Sequence, residues 1–138
     1  MSIKTSSAKA KGRRLQNYIR DKLLERFPWL DEGDVESRSM GSSGVDIILS
    51  PLGRRTFPVS IEAKKTKKTP SRAELDQSRA NAYGTTIPAV VWCPHGCGHK
   101  KSMIMFDLED FLDWYQEINK DELRSIGRSV TNGAETED

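Results

Sequence analysis

Three residues near the middle of the chain, Asp46, Glu62 and Lys64, have the types and spacing for metal-assisted chemistry. The stretch around them, SSGVDIILSPLGRRTFPVSIEAKK (42–65), reads as two strands joined by a turn at Pro51 and Gly53. In the first strand Val45, Ile47 and Leu49 point one way and Asp46 the other. In the second, Phe57, Val59, Ile61 and Ala63 share one face, and Ser60, Glu62 and Lys64 the opposite one. Alternation of this kind marks a strand. Pairing the two strands would bring Asp46, Glu62 and Lys64 onto one surface. Two carboxylates there offer oxygen ligands to a hard divalent cation, and the ammonium adds a compact positive charge beside it.

Such a site needs elements to position it. Leu15, Ile19, Leu23 and Phe27 recur every fourth residue, which predicts a helix from about Lys11 to Phe27, ended by Pro28. On its wheel Gln16 falls at the edge of the apolar stripe and Glu25 on the solvent side. Asp34–Met40 is expected to be a strand with Val35 inward and Glu36 at the surface. The small residues of Met40–Gly44, just before Asp46, allow close backbone approach. Ser71 and Glu74 form a capping-box string, predicting a helix over Arg72–Tyr83 with Gly84 as its C-terminal cap and Gln77 on one face. Ile87–Cys93 and Ser102–Phe106 read as strands. Asp107 then caps a helix whose inner stripe is Leu108, Phe111, Leu112 and Tyr115.

The boundaries follow from composition. Residues 1–10 hold little to bury and are expected to be a disordered basic arm. Residues 11–118 form one domain. Apolar residues thin out after Asn119, so 119–138 is expected to be a flexible acidic tail. The net charge of +2 over 138 residues says little about partners. Its distribution says more: basic residues gather at Lys9–Arg14 and Lys64–Lys68, and acids after Asp107. No apolar run is long enough to cross a membrane, and the N-terminus has no apolar core of a secretory signal. Cys93 and Cys97 are too close together to suggest a disulfide framework. The expected location is therefore cytoplasmic, with no membrane partner.

The expected order, helix, three strands, helix, two strands, helix, combines with Gly44-Val45-Asp46 and Glu62-Ala63-Lys64 to resemble the PD-(D/E)XK nuclease superfamily. Gly-Val stands where the motif's name has Pro. The KGRRLQ start and the SMGSSGVD approach look most like small Holliday-junction resolvases and phage-type nucleases. The resemblance implies an α/β fold with a restriction-endonuclease-like core, a mixed central sheet flanked by helices in the order α-β-β-β-α-β-β-α. It implies a divalent-metal-dependent DNA endonuclease acting on double-stranded or branched DNA. Asp46, Glu62 and the Ala63 carbonyl would hold Mg²⁺ or Mn²⁺, and Lys64 would position water or neutralise the phosphate. Gln16 matches the first-helix position where many relatives carry an acid, and Gln77 matches a helix Gln that contacts the site or the DNA. Arg13, Arg14, Lys65, Lys67 and Lys68 would track the DNA backbone, and a homodimer is left open.

Two other readings compete. One is a catalytically silent nucleic-acid-binding module of the same fold, which the uncharged Gln16 leaves open. The other is a zinc-bearing interaction domain built on Cys93, His95, Cys97 and His99. Four ligands on one short loop would strain a tetrahedron, and the chain has no second ligand pair, so the expectation is a Gly-rich hairpin loop without metal.

Overall fold

The computed structural model describes residues 2–39 and 42–133. It divides into two units, Met1–Asp107 and Leu108–Asp138. Among the described residues the chain is α/β, with five α-helices, a two-stranded antiparallel sheet and a three-stranded mixed sheet.

The first unit opens with α1, Ser2–Arg26. Leu15, Ile19 and Leu23 are its buried stripe, as the fourfold spacing requires. The helix starts well before Lys11, where the sequence predicts its beginning. Residues 2–10 contain no Gly or Pro, and with Ala8, Lys9 and Ala10 they favour helix without needing burial. Strand β1, Val35–Ser37, then pairs antiparallel with β2, Ile47–Leu49, placing Val35 opposite Leu49. β1 is shorter than the expected Asp34–Met40; Met40 and Gly41, part of the predicted small-residue loop, lie outside the described residues.

The expected turn at Pro51 and Gly53 is instead a short helix, α2, Pro51–Thr56. Ser50 caps it, accepting the Gly53 N–H at 2.9 Å, and Pro51 occupies the first helical position, where its missing N–H costs nothing. Gly53 serves close packing here. A Cβ on it would lie 2.6 Å from the Asp34 carbonyl oxygen.

Strand β3, Val59–Thr66, pairs in parallel with β4, Ile87–Pro94, from Val59 opposite Ile87 to Thr66 opposite Pro94. The sequence predicts β3 beside the strand carrying Asp46. That contact exists only locally, where Asp46 N–H donates to the Ile61 carbonyl at 3.0 Å. A parallel pair needs a crossover, and α3, Arg72–Asn81, supplies it. Its predicted capping box is formed by Ser71 and Glu74. The helix ends at Ala82 in an extended conformation, so Gly84 is not its cap. Ser78 locks α3 to the sheet: its buried hydroxyl donates to the Ala89 carbonyl at 2.9 Å and accepts the Ala89 N–H at 3.1 Å. β5, Met103–Met105, completes the sheet antiparallel to β4, after a tight turn and a 3₁₀ segment at His99–Lys101.

The second unit consists of α4, Leu108–Ile118, and α5, Lys120–Thr131. The spacing predicts that the first buries Leu108, Phe111, Leu112 and Tyr115. These side chains share a face, but Leu108 is 67% exposed and Leu112 47%. α5 falls where a flexible tail was expected. Leu123, Ile126 and Val130 give it an apolar stripe too sparse to stand out from the surrounding polar residues. Residues 134–138 of that tail lie outside the described residues. No described helix is long and apolar enough to cross a membrane.

Candidate active site

A cleft of about 190 Å³ opens in the first unit. Asp46, Glu62, Ala63 and Lys64 line it together with Gly12 and Gln16 of α1 and with Ser39 and Ser42. Asp46 sits immediately before β2, where the chain meets β3. Its Oδ2 accepts the Ala63 N–H at 2.7 Å, which fixes the carboxylate against the strand bearing Glu62 and Lys64. Glu62 and Lys64 lie two residues apart on β3 and so point to the same side. Lys64 Nζ is 3.5 Å from Glu62 Oε2.

The loop leading to Asp46 is held by Arg38, a residue without a sequence signal. Its backbone N–H donates to the Asp46 carbonyl at 2.8 Å, and its guanidinium donates to the Val45 carbonyl at 2.5 Å. Gly44 makes room for this arm. Its φ of 114° is a conformation L side chains rarely adopt, and a Cβ there would lie 2.8 Å from the guanidinium. Nothing periodic marks Arg38, and only its contacts reveal the role.

Burial dominates the electrostatics of the cleft. Burial raises the Asp46 carboxyl above its ordinary range, against the lowering effects of the Ala63 N–H, Lys64 and Arg38. Burial also raises Glu62, and the neighbouring Asp46 raises it further, against Lys64. Two carboxylates therefore share one partly buried space, and burial outweighs the pull of the Lys64 ammonium and, on Asp46, of the Arg38 guanidinium. Among the described residues, Glu62 Oε1 is buried without a hydrogen-bond partner, and so is Gln16 Oε1. Gln16 is 4% exposed. A buried polar oxygen without a partner costs on the order of 1–3 kcal/mol, so two around one cleft are a feature to be explained.

The remaining predicted residues divide sharply. Glu25 faces solvent, paired with Lys22 at 3.0 Å, as the wheel predicts. Gln77 is exposed on α3 and does not line the cleft. Glu36 is exposed on β1 and lines a separate hollow with Arg20 and Glu32. Arg13, Arg14, Lys67 and Lys68 are exposed and available to a polyanion. Lys65 is not. Its ammonium donates to the Pro94 carbonyl at 3.1 Å, the Cys97 carbonyl at 2.5 Å and the Cys93 thiol at 3.1 Å. Those contacts use all three N–H groups, so Lys65 fastens the loop after β4 and is not free for DNA.

The four Cys and His side chains of that loop are engaged separately. Cys93 is buried, and its Sγ takes the Lys65 ammonium. His95 Nε2 lies 2.9 Å from Lys11 Nζ, and the His99 ring packs on Tyr18 with centroids 5.0 Å apart. Cys97 is exposed. Among the described residues no group of three or more His, Cys, Asp or Glu side chains is placed to hold a metal. The cleft itself has two carboxylates, and its third buried side-chain oxygen belongs to an amide. No protein-family model, no curated protein and no solved structure matches this chain.

Proposed function

We propose that this protein is a divalent-metal-dependent DNA endonuclease with a restriction-endonuclease-like core, hydrolysing phosphodiester bonds at the Asp46–Glu62–Lys64 cleft. One observation carries the reading: residues from three separate chain segments, Gln16, Asp46 and Glu62-Ala63-Lys64, line the same small cleft. A D…ExK string occurs by chance in many chains; its members lining one cleft beside a buried helix Gln support the reading. The element order of the first unit also contains the helix, three strands, helix and strand of that core, with α2 inserted.

The donors fit a hard cation. Asp46, Glu62 and Gln16 offer side-chain oxygens and Ala63 its carbonyl, and the cleft has neither thiolate nor imidazole. That chemistry favours Mg²⁺ or Mn²⁺ over a soft metal. A bound cation would satisfy the two orphaned oxygens and relieve the repulsion between Asp46 and Glu62. When bound, it would ease deprotonation of a water and offset charge building on the phosphate. The chain's own groups supply the rest. The Ala63 N–H fixes the Asp46 carboxylate. Lys64 is a compact cation at the cleft wall, paired with Glu62 at 3.5 Å, and would neutralise a phosphate oxygen bound there.

The test is cleavage of four-way junctions, linear duplex and single-stranded DNA with Mg²⁺ or Mn²⁺. Cleavage of at least one substrate, abolished by EDTA, is expected, with branched DNA the first to try. Binding without cleavage of any of them would leave the silent binding module. Stoichiometric zinc, lost together with the fold on chelation, would favour the interaction domain.

A further inference from the structure

A second hollow in the first unit, about 490 Å³ in volume, carries no acid in its lining and lies away from the cleft. Tyr18, Lys22, Leu23 and Arg26 of α1 form one wall and Lys100 of the 3₁₀ segment the other. The two walls come from chain segments more than seventy residues apart. Tyr18 joins them: its ring packs against His99 at 5.0 Å, and Lys22 Nζ lies 5.7 Å from its centroid. Farther back on the same helix, Lys11 reaches His95 at 2.9 Å. Lys11, Arg14, Tyr18 and Lys22 are spaced three, four and four residues apart and so share one face of α1. Positive charge on this side is dense enough that Lys65 and Arg14 help burial to hold His99 below its ordinary pKa. Glu25 counters it in part, pairing with Lys22 at 3.0 Å.

We propose that this groove binds the phosphodiester backbone of a nucleic acid, as an anchoring site distinct from the catalytic cleft. A row of cations along a rigid helix suits a repeating anion better than a single small one, and the three flexible heads of Lys22, Arg26 and Lys100 can follow a curved backbone. The cleft uses Gly12 and Gln16 of α1 and the groove uses Tyr18 and Lys22, so the two sites draw on different faces of the helix. The groove reads charge and not base identity, so it contributes affinity and register without sequence preference. This inference goes beyond the cleavage reading and stands or falls separately, because its test needs no metal.

The experiment compares wild-type protein with the triple variant Lys22→Gln, Arg26→Gln, Lys100→Gln. Binding to a fluorescent 30-base-pair duplex is followed by anisotropy in EDTA across a salt series. All three side chains are at the surface, and circular dichroism checks that the variant is folded. The expected result is about tenfold or greater loss of affinity, with the slope of log K against log salt shallower by roughly two to three. A second arm adds inorganic pyrophosphate or poly-glutamate as competitor; neither should displace the duplex at charge equivalence. Unchanged affinity and slope in the folded variant would overturn the proposal. So would equal competition by poly-glutamate, which would mark a protein-docking surface, or tight pyrophosphate binding lost in the variant while duplex binding persists. As a finer control, Lys100→Gln alone removes one cation from the wall opposite α1 and should lower the slope by about one.

Discussion

Two sets of carboxylates in the first unit are treated in opposite ways. Asp107, at the end of the mixed sheet, receives the guanidiniums of Arg72 and Arg79 at 2.6 Å each, and both lower its pKa. Asp46 and Glu62 are deeper: burial raises both, Asp46 raises Glu62 further, and among the described residues Glu62 Oε1 has no hydrogen-bond partner. Asp107 is an acid completed by its own chain, tying α3 to the strand beyond it. In the cleft Asp46 accepts the Ala63 N–H, and Glu62 meets Lys64 at 3.5 Å through one oxygen while the other is unpartnered among the described residues. The contrast separates a carboxylate matched by two cations of its own chain from a pair that burial makes hard to ionise, a distinction that residue type alone does not make.

The largest expected effect breaks the comparison on the catalytic side. Glu62→Gln keeps the shape of the side chain and removes one negative charge from the cleft. Cation occupancy should fall, and with it water activation and charge stabilisation together. Divalent-dependent cleavage should drop by several orders of magnitude, while duplex binding in EDTA should hold or tighten slightly. Asp107→Asn should leave cleavage essentially intact. Equal nicking by highly purified wild-type and Glu62→Gln protein would place the chemistry elsewhere.

A smaller effect concerns stability. If the cleft acids await a cation, millimolar Mg²⁺ or Mn²⁺ should raise the Tm of the wild type by several degrees through binding to the folded state alone. The shift should vanish in Glu62→Gln and persist in Asp107→Asn. In EDTA, Glu62→Gln should melt no lower than wild type, since it relieves the repulsion with Asp46. A Glu62→Gln protein that melts well below wild type in EDTA would mean that Glu62 belongs with Asp107 as a structural acid.

Much of this arrangement was legible in the sequence, and the gaps have identifiable causes. Period-two alternation put Glu62 and Lys64 on one side, and the helical wheel separated Gln16 from Glu25, because both are local geometry. Partner choice is not local. Alternation in Val59–Lys64 marks a strand but says nothing about pairing with β4 in preference to β2. Ser50-Pro51 with Gly53 is ambiguous in another way, since the same letters punctuate a turn and start a helix, and the packing of Gly53 against Asp34 decides. Lys65 reads as part of a solvated charge run, yet its stem ends beside the backbone carbonyls after β4 and its charge is used there. The stripe of α4 shows the same limit: spacing identifies an apolar face but not what, if anything, covers it.

The smallest effect is the pH dependence of stability, where the two kinds of acid should act with opposite sign. The Asp107 carboxyl is held below its ordinary value of 3.8 in the folded state, chiefly by Arg72 and then by Arg79. The unfolded chain then binds protons more readily, so this acid's contribution is present above the ordinary value and is lost as pH falls through the lowered one. Asp46 and Glu62 are raised from ordinary values of 3.8 and 4.5. For them the folded chain binds protons more readily, so stability declines as pH rises from the ordinary values through the raised ones. In EDTA, wild-type stability should therefore be eroded from the acid side by Asp107 and from the mildly acidic side upward by the cleft pair. Glu62→Gln should flatten the upper decline and leave the acid limb alone; Asp107→Asn should flatten the acid limb and lower the plateau slightly. Saturating Mg²⁺ should reverse the upper decline, since a cation binds the ionised pair and competes with its protons. Urea midpoints measured from pH 3 to 8 in EDTA and in Mg²⁺ read both limbs, and an upper decline that ignores both Glu62→Gln and Mg²⁺ would overturn the proposal that these two acids bind a cation.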